Sequence, residues 1–134
     1  MCLYISKYAT NELKKRFKES KDGTLTFWKV YRKRDGTLVS PSYGQEVALS
    51  GDIFSNRKDK KLKGYEAQGH VVSEGIHVWV NKPSKMKYYP YYSIVKVTAH
   101  KNDFIWAGDR DAVFMKINIS KRTWSNLFRK KLRI

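Results

Sequence analysis

The run TLTFWKVYRKR over residues 24–34, followed at once by Asp35-Gly36, restricts this chain more than any other feature. Aromatic and β-branched residues recur through it, and the alternation of Leu25, Phe27 or Trp28, Val30 and Arg32 is that of a strand. Asp-Gly accepts the positive φ that a two-residue hairpin turn demands. Thr37 to Ser40 is therefore expected to return as the antiparallel partner, and Pro41, which has no N–H for the ladder, to end it. A hairpin so early directs the chain toward an antiparallel sheet rather than repeated βαβ units.

The flanking segments extend this reading. Residues 6–22 have the spacing of an amphipathic helix, with Thr10 or Asn11 as N-cap, Leu13 and Phe17 on one face and Asp22-Gly23 closing it. Residues 41–69 hold Gly44, Gly51, Gly64 and Gly69 around NRKDKKLKG and read as a long loop. His70 to Asn81 contains two β-rich pieces split by Ser73-Glu74-Gly75, with Ile76, Val78 and Val80 on one side and His77, Trp79 and Asn81 on the other. The Lys- and Tyr-rich insert KPSKMKYYPYY precedes three more strands, Tyr92 to His100, Asp103 to Ala107 and Ala112 to Ser120. KRTWSNLFRKKLRI is expected to close the chain as a helix. The expected fold is α+β: a mostly antiparallel sheet of about six strands with an N-terminal helix and a basic C-terminal helix or arm over residues 121–134. Residues 1–134 are expected to form a single domain.

At 41% apolar residues the chain is rich enough in core formers to fold without a partner. Cys2 is the lone cysteine, so neither an intrachain disulfide nor a thiolate metal site is available. MCLYISKYATNELKKRF lacks the unbroken apolar core of a secretory signal, and no stretch reaches the length of about 18 apolar residues needed to span a bilayer. A cytoplasmic protein that does not engage membranes is expected, in the host cytoplasm if the chain is viral.

Charge is the outlying property. Twenty-eight Lys and Arg against twelve Asp and Glu give a formal net charge of +16, well beyond the magnitude of about 2 to 8 that suffices for solubility in a small domain. Such an excess costs self-repulsion in the compact state and favours phosphate-rich partners. Three clusters concentrate it. The first is Arg57, Lys58, Lys60, Lys61 and Lys63. The second sets Lys82, Lys85 and Lys87 before Tyr88, Tyr89 and Tyr91, pairing phosphate-neutralising groups with rings able to stack on unpaired bases. The third is the C-terminal segment, where Arg122, Arg129, Lys130, Lys131 and Arg133 follow the last carboxylate, Asp111. No zinc-finger spacing, RRM signature or helix-turn-helix accompanies them, so backbone or shape recognition is expected rather than sequence readout. The partner is expected to be DNA, RNA, or a ribonucleoprotein or host protein complex. A basic face covering an acidic host surface, without nucleic acid, is the competing binding role.

Enzyme candidates are few. His77, Arg32 and Asp103 are the first residues to consider for a nucleotide- or nucleic-acid-modifying activity, with His77 either a general base or a satisfied core imidazole. Asp103, Asp109 and Asp111 offer hard oxygen ligands, but Asp109-Arg110-Asp111 also reads as a turn. No P-loop, GxSxG or HExxH signature occurs, and no cofactor is expected. Binding rather than catalysis is the expected role.

The order FWKVYRKRDGTLVSP, SEGIHVWV and YYSIVKVTAHKNDFIWAGDRDAVFMKINI resembles a small domain of unknown function found in bacteriophage and large-virus proteins, over about residues 24–119. The resemblance implies a viral origin, and by analogy of size and charge an inhibitor of a host defence or nucleic-acid-processing complex. Tyr31-Arg32 and Gly75-Ile76-His77 are also similar to the strand motifs flanking the nicotinamide cofactor in ADP-ribosyltransferase-like folds. The late catalytic glutamate of that pattern has no counterpart, because no Glu follows Glu74. What that likeness implies is a degenerate fold kept as a binding module.

Overall fold

The computed structural model describes residues 3–40, 46–68, 71–72, 74–84 and 92–128. In chain order they form β1 (Leu3–Tyr4), α1 (Lys7–Glu19), β2 (Thr24–Arg34), β3 (Thr37–Val39), β4 (Glu46–Val47), β5 (Gly51–Phe54), α2 (Gly64–Ala67), β6 (Val71–Val72), β7 (Ile76–Trp79), β8 (Tyr92–His100), a 3-10 turn (Lys101–Asp103), β9 (Phe104–Ala107), β10 (Asp111–Phe114), β11 (Lys116–Ile119) and α3 (Lys121–Leu127). The fold is α+β, as the hairpin and strand runs imply.

The hairpin forms as its sequence demands. Asp35 and Gly36 take φ of +49° and +80°, the pair of positive values a type I′ turn needs, and Arg34 pairs with Thr37 across it. On its other side β2 meets β8 in an unbroken antiparallel register from Thr24↔His100 to Arg32↔Tyr92. These two long strands are the spine of a sheet ordered β5-β11-β8-β2-β7-β10-β9, to which β3 and β4 attach beside β2. Nine strands thus replace the expected six, with β1 and β6 as a separate two-stranded pair.

The difference has two local sources. Residues 41–69 are not one loop: β4, β5 and α2 lie within them, too short to show a period in sequence. The expected strand Ala112 to Ser120 is divided at Met115, whose N–H donates to the Asp103 carbonyl at 2.7 Å and whose carbonyl accepts from Ser55 N–H at 2.8 Å. Both bonds leave the β10 ladder, so the chain changes partners there, from β7 and β9 to β5 and β8.

One face of the sheet carries the main core. Phe27 and Tyr31 of β2, Val95 and Val97 of β8, and Ile117 and Ile119 of β11 are buried with Leu13 and Phe17 of α1, and Trp124, Leu127 and Phe128 pack against them from the C-terminal end. Phe17, Phe27, Phe104 and Phe114 form a ring cluster, the closest pair being Phe27 and Phe114 at 4.9 Å between centroids. Helix α1 begins one turn earlier than expected: Ser6 is its N-cap, with Oγ accepting from Ala9 N–H at 3.1 Å. Thr10, the expected cap, is buried instead, its hydroxyl donating to the Ala107 carbonyl and accepting from the Ala107 N–H, both at 3.1 Å. It thereby occupies free backbone groups of edge strand β9.

The opposite face is covered over β9 and β10. Val72, Ile105 and Val113 form a smaller buried cluster there, with Ile5, Leu62, Trp106 and Met115 around it. Gly75 makes the close approach possible: it has φ +127°, and a Cβ at this position would collide with Val113 Cγ1. Among the described residues no helix is long and apolar enough to cross a membrane.

Candidate nucleic-acid interface

The basic loop following β5 is organised by one of its own cations. Arg57 is buried, and all five of its guanidinium N–H donors are used. They reach the Asp59 carbonyl at 2.8 Å, both Glu66 carboxylate oxygens at 2.8 and 3.0 Å, the Lys61 carbonyl at 2.9 Å and the Glu74 carbonyl at 3.1 Å. Glu66 is equally buried, and its Oε1 also accepts from Lys63 N–H at 2.9 Å. Hydrogen bonding to Arg57 is the main reason the Glu66 carboxyl sits below its ordinary range and the guanidinium stays charged. Arg57 is therefore corrected from a phosphate contact to the strut of the loop, because a guanidinium with every donor engaged has none for a ligand.

The strut turns the remaining cations outward. Lys58, Lys60, Lys61 and Lys63 are exposed. Lys60 donates to the Asn102 carbonyl at 2.8 Å and Lys63 pairs with Glu74 at 2.7 Å, both at the surface. Lys58 and Lys61 have no side-chain hydrogen bond or ion pair among the described residues. Elsewhere Lys14, Lys15, Arg16 and Lys18 lie on the exposed side of α1, and Arg122 is exposed on α3. Lys85, Lys87, Tyr88, Tyr89 and Tyr91 of the second cluster, and Arg129, Lys130, Lys131 and Arg133 of the third, lie outside the described residues.

The second cluster does connect to the sheet through Lys82, whose Nζ lies 5.3 Å from the centre of the Trp28 ring. Trp28 faces away from the main core, and its Cα is paired with Lys96 on β8 and with Trp79 on β7. Trp79 is in turn opposite Asp111 on β10. Because directly opposed residues of antiparallel strands share a face, Lys96, Trp28, Trp79 and Asp111 form one row across four strands. Lys96 is exposed and the tryptophans are half-buried. Burial raises the Asp111 carboxyl above its ordinary value. Trp28, Trp79 and Lys96 are absent from the sequence-based site because their juxtaposition depends on strand register, and the doublet Phe27-Trp28 leaves open which ring faces inward.

The enzyme candidates are not brought together. Both ring nitrogens of half-buried His77 face backbone carbonyls, Nε2 toward Val72 at 3.0 Å and Nδ1 toward Gly75 at 3.3 Å, and burial holds its pKa below the ordinary value. Of the two readings of His77, the geometry favours the core imidazole: a ring set between β7 and β6 with both nitrogens turned toward backbone carbonyls. Arg32 is exposed at the end of the β2–β8 ribbon. Asp103 follows the other end, so the ribbon separates them by about 25 Å at the usual rise per strand residue. Asp103 lies with Thr24, Asp52, His100, Lys116 and Asn118 in a cleft of about 180 Å³, 3.9 Å from Lys116 Nζ. Asp109 and Asp111 stand beyond the far end of β9 from Asp103, in a turn closed by Gly108 N–H to the Asp111 carbonyl at 2.8 Å. Among the described residues no group of three or more His, Cys, Asp and Glu is placed to hold a metal ion.

No protein family, curated protein or solved structure matches this chain.

Proposed function

We propose that this chain is a non-enzymatic binding protein for nucleic acid, alone or within a nucleoprotein groove. The observation that carries the reading is the basic loop: a buried, fully hydrogen-bonded Arg57–Glu66 pair holds a backbone from which Lys58, Lys60, Lys61 and Lys63 project into solvent. Cations on an anchored loop lose less conformational freedom on meeting phosphates than cations on a free one, so more of their attraction appears as affinity. The net charge of +16 supplies the long-range attraction. The dispersal of His77, Arg32 and Asp103 favours binding over turnover. A loop of this kind suits a protein that blocks a host defence or nucleic-acid-processing complex by occupying its nucleic-acid path.

The test is binding to labelled single- and double-stranded oligonucleotides across a salt series. Affinity should fall steeply with salt, with a log–log slope of about −0.7 for each phosphate neutralised on single strands and about −0.9 on duplex. Changing Lys58, Lys60 and Lys61 together to Ala should reduce the magnitude of the single-strand slope by up to about 2. Wild-type binding that does not respond to salt, or the absence of binding at low salt, rejects the reading.

A further inference from the structure

Resting on that reading, we infer that the part of the sheet face centred on Trp28 and Trp79 is a stacking platform for unpaired bases, so the preferred ligand is a single strand rather than a duplex. Helices α1 and α3 pack on the opposite face through the main core, and the cover formed by β1, β6 and the neighbouring loop lies over Val113, Ile105 and Trp106. On this side of β2 and β8, Lys96 and Arg32 are exposed, Trp28 and Trp79 are half-buried, and Val30 between Trp28 and Arg32 is buried. Here two indole side chains stand in register on adjacent strands, with spacing set by the sheet rather than by a flexible loop.

Three cations flank the rings. Lys96 is opposite Trp28 on β8, Lys82 Nζ is 5.3 Å from the Trp28 ring, and exposed Arg32 lies four residues along β2 on the same face. A cross-strand aromatic pair needs no such surround to support a sheet. A strand laid over the rings, in contrast, presents a flat apolar base to each indole and charged phosphates to the cations beside it. The Lys82–indole attraction is weak at a solvent-accessible site, so the ring face can be given up while the ammonium moves to a phosphate. Asp111 closes the row on the β10 side and directs the phosphates toward β2 and β8. A duplex keeps its bases stacked inside and offers these rings nothing comparable.

The deciding measurement compares the wild-type protein's affinity for oligomers of about 12 nucleotides, within the usual site size of single-strand binders. The probes are oligo-dT, oligo-rU, a wholly abasic strand of equal length and charge, and a duplex. Oligo-dT or oligo-rU should bind tighter than the abasic strand by roughly 5- to 150-fold per stacked base, and tighter than duplex. The ratio between the dT and rU arms shows which sugar the platform accepts. Trp28→Leu and Trp79→Leu, which keep apolar bulk but remove the π-face, should erase the preference over the abasic strand in protein whose circular dichroism matches wild type. Equal affinity of wild type for base-bearing and abasic strands overturns the platform while leaving phosphate binding intact, and this comparison stands even if the variants do not fold. Failure of every probe to bind at low salt removes the underlying reading as well.

Discussion

Lys29 places an ammonium on the core side of β2, between Phe27 and Tyr31. It is 9% exposed, its Nζ donates to the His77 carbonyl at 2.9 Å, and it lies 5.3 Å from the centre of the Tyr31 ring. Burial pushes its pKa down to about 8 and pushes that of Tyr31 up. The Tyr31 hydroxyl has no hydrogen-bond partner among the described residues. Between pH 8 and about 10.5 the unfolded chain keeps the Lys29 proton while the folded chain has lost it. The unfolded state then binds more protons, so stability rises with pH through this window and the full cost of the buried charge is present below it. The cost at neutral pH is about 3 to 4 kcal/mol, at 1.36 kcal/mol per pKa unit. Lys29→Met should therefore raise Tm at pH 7, by an amount reduced where the His77 carbonyl loses its donor. The informative quantity is the difference between wild type and variant in denaturant unfolding at pH 7 and pH 10, because contributions that the two proteins share cancel in it. That difference should shrink as pH rises.

The 55–68 segment shows how an element depends on one buried pair. Removing Glu66 leaves the Arg57 charge buried without its counter-ion, and such deletions cost about 3 to 5 kcal/mol. Glu66→Ala should lower Tm and open the segment to Lys-specific proteolysis, whereas changing Arg57 and Glu66 together to apolar residues should recover much of the loss, because no unpaired charge remains. A double variant as unstable as Glu66→Ala would locate the role of the pair in its hydrogen bonds instead. Sequence could not reveal this hub, since Arg57 is one basic residue among several and Glu66 lies nine positions away. The β2–β3 hairpin and β8 were legible because each carries its own signal: alternation over many residues and a turn dipeptide with one favoured geometry. The two β-rich pieces around Ser73-Glu74-Gly75 are β6 and β7, whereas β1, β4 and β5 are too short to carry a readable period and emerge only from their partners. The break at Met115 is likewise a change of partners rather than of residue type. The site divides the same way: exposed cations are visible in sequence, while the Trp28–Trp79–Lys96 row exists only once the register is set.

Across the whole molecule, charge acts on folding and on binding with opposite responses to salt. With +16 on 134 residues, self-repulsion opposes the compact state. Added salt shortens the Debye length from about 30 Å at 0.01 M to about 8 Å at 0.15 M, so Tm of the free protein should rise over that range. A nucleic acid bound as proposed would stabilise the folded state by RT ln(1 + [L]/Kd), about 2.7 kcal/mol at a hundredfold excess over Kd, and the same salt series would weaken that binding through loss of counterion release. The two melting curves, with and without a single-stranded oligonucleotide, should be far apart at low salt and converge as salt increases, the free protein moving up and the complex moving down toward it. Parallel curves at all salt concentrations would mean that the oligonucleotide is held by contacts other than those of the Lys and Arg side chains with phosphate. A free protein whose Tm falls with salt would mean that attractive pairs such as Lys63–Glu74 outweigh the repulsion. Differential scanning fluorimetry at fixed oligonucleotide concentration reads both responses in one titration, and only the converging pattern fits a fold that carries excess positive charge against its own stability for the sake of a phosphate-rich partner.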